Sequence, residues 1–273
     1  MSVRAAIAIG AHPDDIEFRM AGTLVLLRVA GYETHYMNLA SGSCGSLEMG
    51  PVATRALRRH EARNAARILG ARFHPSIADD LEIAYNLPQL RRLAAVIRDV
   101  QPSIILTHSL EDYMEDHTVT ARLAVTAAFA RGMPNFVTCP RRPAYSDDVT
   151  VYHAMPHGLR DAMGRRVTPE CLVDVATVQA KKREALLAHR SQQRWLDASQ
   201  GMNSFVRTME NMDRAVAKFT RGFRVAEGWR RHNHLGFCEP GADPLATALS
   251  SKCRQNPAYR RRLDAPVKDF HQR

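Results

Sequence analysis

The sequence predicts an α/β protein: a mostly parallel sheet flanked by helices, with a C-terminal helical or irregular extension. Short apolar, strand-like runs alternate with longer amphipathic ones from the start, as in βαβ units. The first run is apolar throughout, as a strand covered on both faces requires. Several helix-like runs close on glycine or stop before proline. The 273 residues are 45% hydrophobic and 24% charged, the composition of an ordinary globular protein.

Residues 5–9 read as the first strand. Residues 22–30 form a helix stopped by Gly31, and residues 34–39 a second strand. Residues 51–69 make a long helix closed by Gly70, with many charges on its outer face. A further amphipathic helix spans residues 87–100 and ends before Gln101-Pro102, followed by a strand over residues 103–107. Residues 117–131 read as a helix ended by Gly132-Met133-Pro134, and the proline-bearing residues 136–149 as a loop. Strands at residues 149–153 and 172–175 and a helix at residues 178–189 follow. Beyond Ser191 the pattern weakens: residues 202–219 are helical, while residues 227–239 mix Trp, His, Arg and Gly without a period. The reading is a core over residues 1–195 and an extension over 196–273 that serves as cap or subunit interface, across a weakly marked boundary within one compact unit.

The net charge of +10 raises the question of a polyanion partner. Basic residues are instead spread along helix-like segments (Arg55, Arg58, Arg59, Arg63, Arg67) and gather only at Arg260, Arg261 and Arg262. A solvated face or subunit contact is expected, and no nucleic acid. Five cysteines without a C-x-x-C pair point to neither a disulfide framework nor a thiolate metal site, and to a cytoplasmic address. No run approaches the roughly 20 apolar residues of a membrane span. The aromatics of the C-terminal region leave room for a homo-oligomer.

The strongest chemical signal is Ala11-His12-Pro13-Asp14-Asp15-Ile16-Glu17, directly after the first strand. Ligands of open parallel sheets bind beyond strand C-termini. Two carboxylates there are costly unless something offsets their charge, and a divalent cation does. His12 and Asp15 supply a nitrogen and an oxygen to one metal, and Asp14 is left to accept a proton from water. Catalytic zinc sites commonly use three protein ligands. The third is expected from His117, which opens a helix after the acidic loop Glu111-Asp112-Tyr113-Met114-Glu115-Asp116. The competing reading of Asp14 is a helix cap. Glu17 reads as second-layer support for a ligand or as helix N-terminal charge. The three glycines of residues 42–50 lack the lysine and order of a phosphate-binding loop.

The AHPDD run, Asp116-His117, Arg58-x-x-Glu61 with Leu69-Gly70, and more loosely Val173-Asp174-Val175 and His189-Arg190-Ser191-Gln192 resemble the LmbE-like, or PIG-L, family of metal-dependent N-deacetylases. The resemblance implies a Rossmann-like fold and hydrolysis of N-acetyl groups on glucosamine-containing compounds, hence a small N-acylated, sugar-like substrate. It implies that His12, Asp15 and His117 bind Zn2+, that Asp14 is the general base, and that Arg58 and Asp80 contact substrate. Fe2+ or another divalent ion fits the same donors. Where the family writes H-P-D-H, and its first His helps stabilise the oxyanion, this chain has Met114-Glu115-Asp116-His117. Methionine cannot donate a hydrogen bond. His108, Tyr113, His157 and His189 are the candidates to replace it, with Asp116 as further support.

The alternative is a carbohydrate-binding or regulatory protein that kept the fold and lost efficient turnover. A basic tail on nucleic acid and phosphoester hydrolysis are weaker readings, the latter because only one ligand set is visible. The run from Gly228 to His234 reads as a sugar-stacking surface or a subunit contact.

Overall fold

A computed structural model describes residues 4–200 and 205–263. Eight strands form one sheet in the order β3-β2-β1-β4-β5-β7-β6-β8. The strands are β1 (Ala5–Gly10), β2 (Glu33–Asn38), β3 (Arg72–His74), β4 (Ile104–Thr107), β5 (Thr150–Ala154), β6 (Cys171–Asp174), β7 (Ala226–Arg231) and β8 (Cys253–Gln255). The first five pair in parallel. β7 then runs antiparallel to both β5 and β6, and β8 antiparallel to β6. Alternation along β1 explains the two-sided cover. Ala6 and Ala8 face one core, shared with helix α2 (Ala21–Val29) and helix α3 (Pro51–Leu69), while Ile7 and Ile9 face the other, shared with α4 (Leu87–Val100) and α5 (Glu115–Phe129).

The connections out of β1 and β2 therefore cross one face, and those out of β3 and β4 the other. The order reverses between β1 and β4, and the crevice beyond their C-termini is the topological switch point of such sheets. Gly70, at φ 73°, ends α3 as the glycine stop requires. α4 is capped by the Asn86 side chain, which accepts from the Gln89 N–H at 2.9 Å.

A short helix α1 (Asp15–Arg19) precedes α2, and α6 (Gln179–Leu187), α7 (Arg190–Gln200), α8 (Phe205–Ala217), α9 (Pro244–Leu249) and α10 (Pro257–Leu263) complete the chain. Of the helix expected at residues 202–219, residues 202–204 lie outside the described residues. The stretch without a period is where expectation and structure part: residues 226–231 are a strand inside the sheet. Trp229 is fully buried and donates to the Thr23 hydroxyl at 3.0 Å, so it is core and not a sugar platform. The pattern hid because both faces of this strand are covered. Segments from either side of residue 195 thus share one sheet.

An ion cluster fastens β7 down. The fully buried Lys182 ammonium lies 2.9 Å from Asp213 and 2.8 Å from Glu227. Glu227 also accepts from the Gly22 and Thr23 N–H groups at 2.9 and 2.7 Å, at the start of α2. No helix among the described residues is long and apolar enough to cross a membrane.

Candidate active site

Three strand ends build the site. After β1 the chain turns through His12-Pro13-Asp14, and Asp14 takes φ 113°, outside the range an ordinary residue prefers. Asp15 opens α1 and its Oδ2 accepts from the His12 N–H at 2.7 Å, locking the turn. After β4 come His108, Asp112 and, at the start of α5, His117. After β5 comes His157.

The ligand atoms of His12, Asp15 and His117 all lie within 4.8 Å of one another. His117 Nε2 is 3.3 Å from Asp15 Oδ1, and His12 Nδ1 is 3.5 Å from Asp15 Oδ2. The remaining ring nitrogens meet carboxylates: His12 Nε2 lies 2.9 Å from Asp116, and His117 Nδ1 lies 3.1 Å from Asp112. This is the arrangement that fixes imidazole tautomers around a metal, because a carboxylate on one nitrogen directs the lone pair of the other toward the ion. The donor set of two nitrogens and one oxygen, convergent and buried apart from the half-buried His12, fits a divalent cation such as zinc.

The charges are tuned accordingly. Burial pulls His12 down, but hydrogen bonds to Asp116 and Asp15 outweigh it and hold the ring at about 10. His117 is raised too, burial being overcome by Asp15 and Asp112. Asp15 stays well below the usual carboxylate range, because His117 and His108 overcome its burial. Asp14 goes the other way: burial pushes it up to about 7, against the opposing charge of Arg58. A carboxylate poised near neutrality is the state a general base needs.

Arg58, buried in α3, reaches under this turn. It donates to the Pro13 carbonyl and lies 3.6 Å from Asp14 Oδ2. The glycines of the 42–50 stretch make way for it: a Cβ on Gly42 would come within 3.0 Å of its stem, and one on Gly45 within 2.8 Å of its guanidinium. Asp80 secures the same loop, accepting from the Gly42 and Cys44 N–H groups at 2.7 and 2.9 Å. Glu61 accepts from the Ser191 N–H at 2.9 Å and from its hydroxyl, which ties Arg58-x-x-Glu61 to the His189–Gln192 segment.

A pocket of about 510 Å³ opens over these groups. His12, Asp14, Asp15, Arg58, Asp80, Tyr113, His117 and His157 line it. Four residues read from the sequence stand outside its lining. His108 is buried behind His117, stacked at 4.1 Å, with Nε2 accepting from the Ala11 N–H at 2.8 Å. Asp116 supports His12. Glu17 and His189 are fully buried together, 3.4 Å apart, with Glu17 also accepting from the Tyr36 hydroxyl at 3.3 Å. Sequence reasoning missed Asp112, visible only as one acid among several, and Arg19, whose guanidinium lies 4.0 Å from it. It also missed the apolar wall supplied by Phe18, Trp195, Leu196 and Phe205.

A pocket at the switch point of a mostly parallel sheet, with the donor atoms of His12, Asp15 and His117 beside a buried carboxylate, places the chain among α/β proteins with a convergent polar site at their strand C-termini. The chain belongs to the PIG-L family, described as GlcNAc-PI de-N-acetylase, which matches residues 7–128. Among its relatives is a 4-oxalmesaconate hydratase of Pseudomonas putida, 31% identical over 195 residues, covering 67% of this chain and 72% of the relative. A diacetylchitobiose deacetylase of Thermococcus kodakarensis is 30% identical over 199 residues, 70% of each chain. The solved N,N'-diacetylchitobiose deacetylase of Pyrococcus horikoshii shares the fold at a TM-score of 0.71 and 22% identity, covering 86% of this chain and 85% of that one.

Proposed function

We propose that the protein is a zinc-dependent N-deacetylase that hydrolyses an N-acyl group, acetyl in the first instance, from a small sugar-like amide. The observation that carries this is the meeting of His12, Asp15 and His117 donor atoms within 4.8 Å beside Asp14. Similarity to a diacetylchitobiose deacetylase supports the substrate class. His12, Asp15 and His117 would hold the cation, which when bound would supply a Lewis acid to acidify water and polarise the amide carbonyl. Asp116 and Asp112 keep the two imidazoles turned toward it. Asp14 takes a proton from the attacking water on its carboxylate, while Arg58 holds that carboxylate in place. The water oxygen bonds to the carbonyl carbon, the C–N bond breaks, and the protonated Asp14 returns its proton to the departing amine.

The test is acetate and free-amine release from N-acetylglucosamine, diacetylchitobiose and simple N-acetyl amides by zinc-loaded protein. Turnover is expected, and Asp14→Asn should lower it by at least about 100-fold while metal stays bound. Stoichiometric metal with no amine released across the panel overturns the reading, and favours a binding or regulatory protein of the same fold. A second reading rests on the hydratase relative: the same water and base adding across a carbon–carbon double bond. Loss of enoate absorbance without amine release on amides selects it.

A further inference from the structure

At the position where the resembled motif has its first histidine this chain has Met114, which lines the pocket with no N–H or O–H to offer. Amide hydrolysis places negative charge on the carbonyl oxygen as the water attacks, and a site without a side-chain donor there gives up much of its rate. Of the four candidates to fill the gap, His108 and His189 do not line the pocket, and His108 Nε2 is already occupied by the Ala11 N–H. Tyr113 and His157 remain. Tyr113 is 60% exposed and presents its ring edge to His117 at 5.9 Å between centroids. His157 is half-buried, wedged between the rings of Phe18 at 6.5 Å and Tyr113 at 6.3 Å. Its ring makes no hydrogen bond among the described residues. It arrives from the C-terminal end of β5, on the same rim as the groups that follow β1 and β4.

Resting on the deacetylase reading, we propose that His157 is a catalytic residue that replaces the missing motif histidine, donating a hydrogen bond from its ring N–H to the oxygen that becomes negative as the amide is attacked. The proton stays on the ring, so the step changes no bond of His157. The ring is suited to this. Burial, and then the charge of Arg19, lower its affinity for a second proton, so near neutrality it carries one N–H and presents it without an accompanying positive charge.

The experiment compares His157→Phe, which keeps a ring against Phe18 but has no donor, with His157→Gln, which keeps a donor, and with Tyr113→Phe. In the zinc-loaded protein, three quantities are measured: kcat and KM on the best amide of the panel, and the affinity ratio of methylphosphonate, a tetrahedral mimic, to planar acetate. His157→Phe is expected to lower kcat by about 100-fold with little change in KM or zinc content. It should also shrink the methylphosphonate preference by about tenfold or more, with His157→Gln recovering much of both. An unchanged preference in His157→Phe, or its loss in Tyr113→Phe instead, overturns the proposal. If the wild type cleaves no amide, the deacetylase reading fails, and the binding ratio still decides whether His157 faces a tetrahedral oxygen.

Discussion

Metal binding to this site should be strongly proton-coupled, and the coupling can be worked from the geometry. With Asp116 on one ring nitrogen and Asp15 near the other, His12 holds a proton up to about 10. At pH 7 the cation must displace that proton across about three pH units, at about 1.4 kcal/mol each, so about 4 kcal/mol of intrinsic affinity goes into deprotonation. His117, also raised, releases a second proton where it is charged. The apparent zinc affinity should therefore rise about 10-fold to 100-fold per pH unit between pH 6 and 8. Calorimetry in buffers of different ionisation enthalpy should count one to two protons released. Asp116→Asn separates two effects. It removes the partner that holds the His12 proton and loosens the ring, so zinc binding should weaken by about 10-fold to 100-fold at pH 8. The deficit should narrow toward pH 6, where the competing proton is weakened too. Affinity independent of pH, with no proton released in any buffer, would refute the reasoning.

Two further outcomes concern stability. Lys182→Met leaves Asp213 and Glu227 buried without their cation, which should cost about 3–5 kcal/mol and lower the melting temperature by about 10 °C; a shift under about 2 °C in a thermal melt would mean the cluster is not holding β7. Burial pushes His108 and His153 down to about 4, so the unfolded chain, with imidazoles near 6.5, binds more protons. Their contribution is complete above pH 6.5 and is lost as the pH falls toward 4, about 3 kcal/mol each, and urea midpoints measured between pH 7 and 4.5 should fall steeply.

How much of this was legible in the sequence depends on where the information sits. Residues 51–69 and 87–100 were read with both ends in place because their punctuation is local: glycine after one and Gln101-Pro102 after the other. The AHPDD run announced itself because His and two carboxylates after an apolar strand have few inexpensive uses. β7 was not legible, since a strand covered on both faces by charged and aromatic partners from distant segments carries no period of two. Among the acidic residues before His117, sequence could not say that Asp112 turns inward along with Asp116; that is decided by Arg19 and His117 meeting Asp112 in three dimensions. Nor could it tell that His189 and Glu17 face each other away from the pocket, whereas His157 lies in it. Arg58 was read as a substrate contact, and the structure adds its hold on the Pro13 carbonyl and Asp14.

The placement of β7 also sets an order on folding. His153 pairs with Arg230, and its ring meets His232 at 3.0 Å while its other nitrogen meets the His108 carbonyl at 2.8 Å. During synthesis the five parallel strands emerge first and β5 stays an open border, with ladder groups free to recruit another chain. Residues 226–231 close that border late, after a long excursion of backbone, and high contact order of this kind slows the final step. Nascent chains halted before this point should be sticky and chaperone-dependent, although every residue proposed to hold the cation has already left the ribosome.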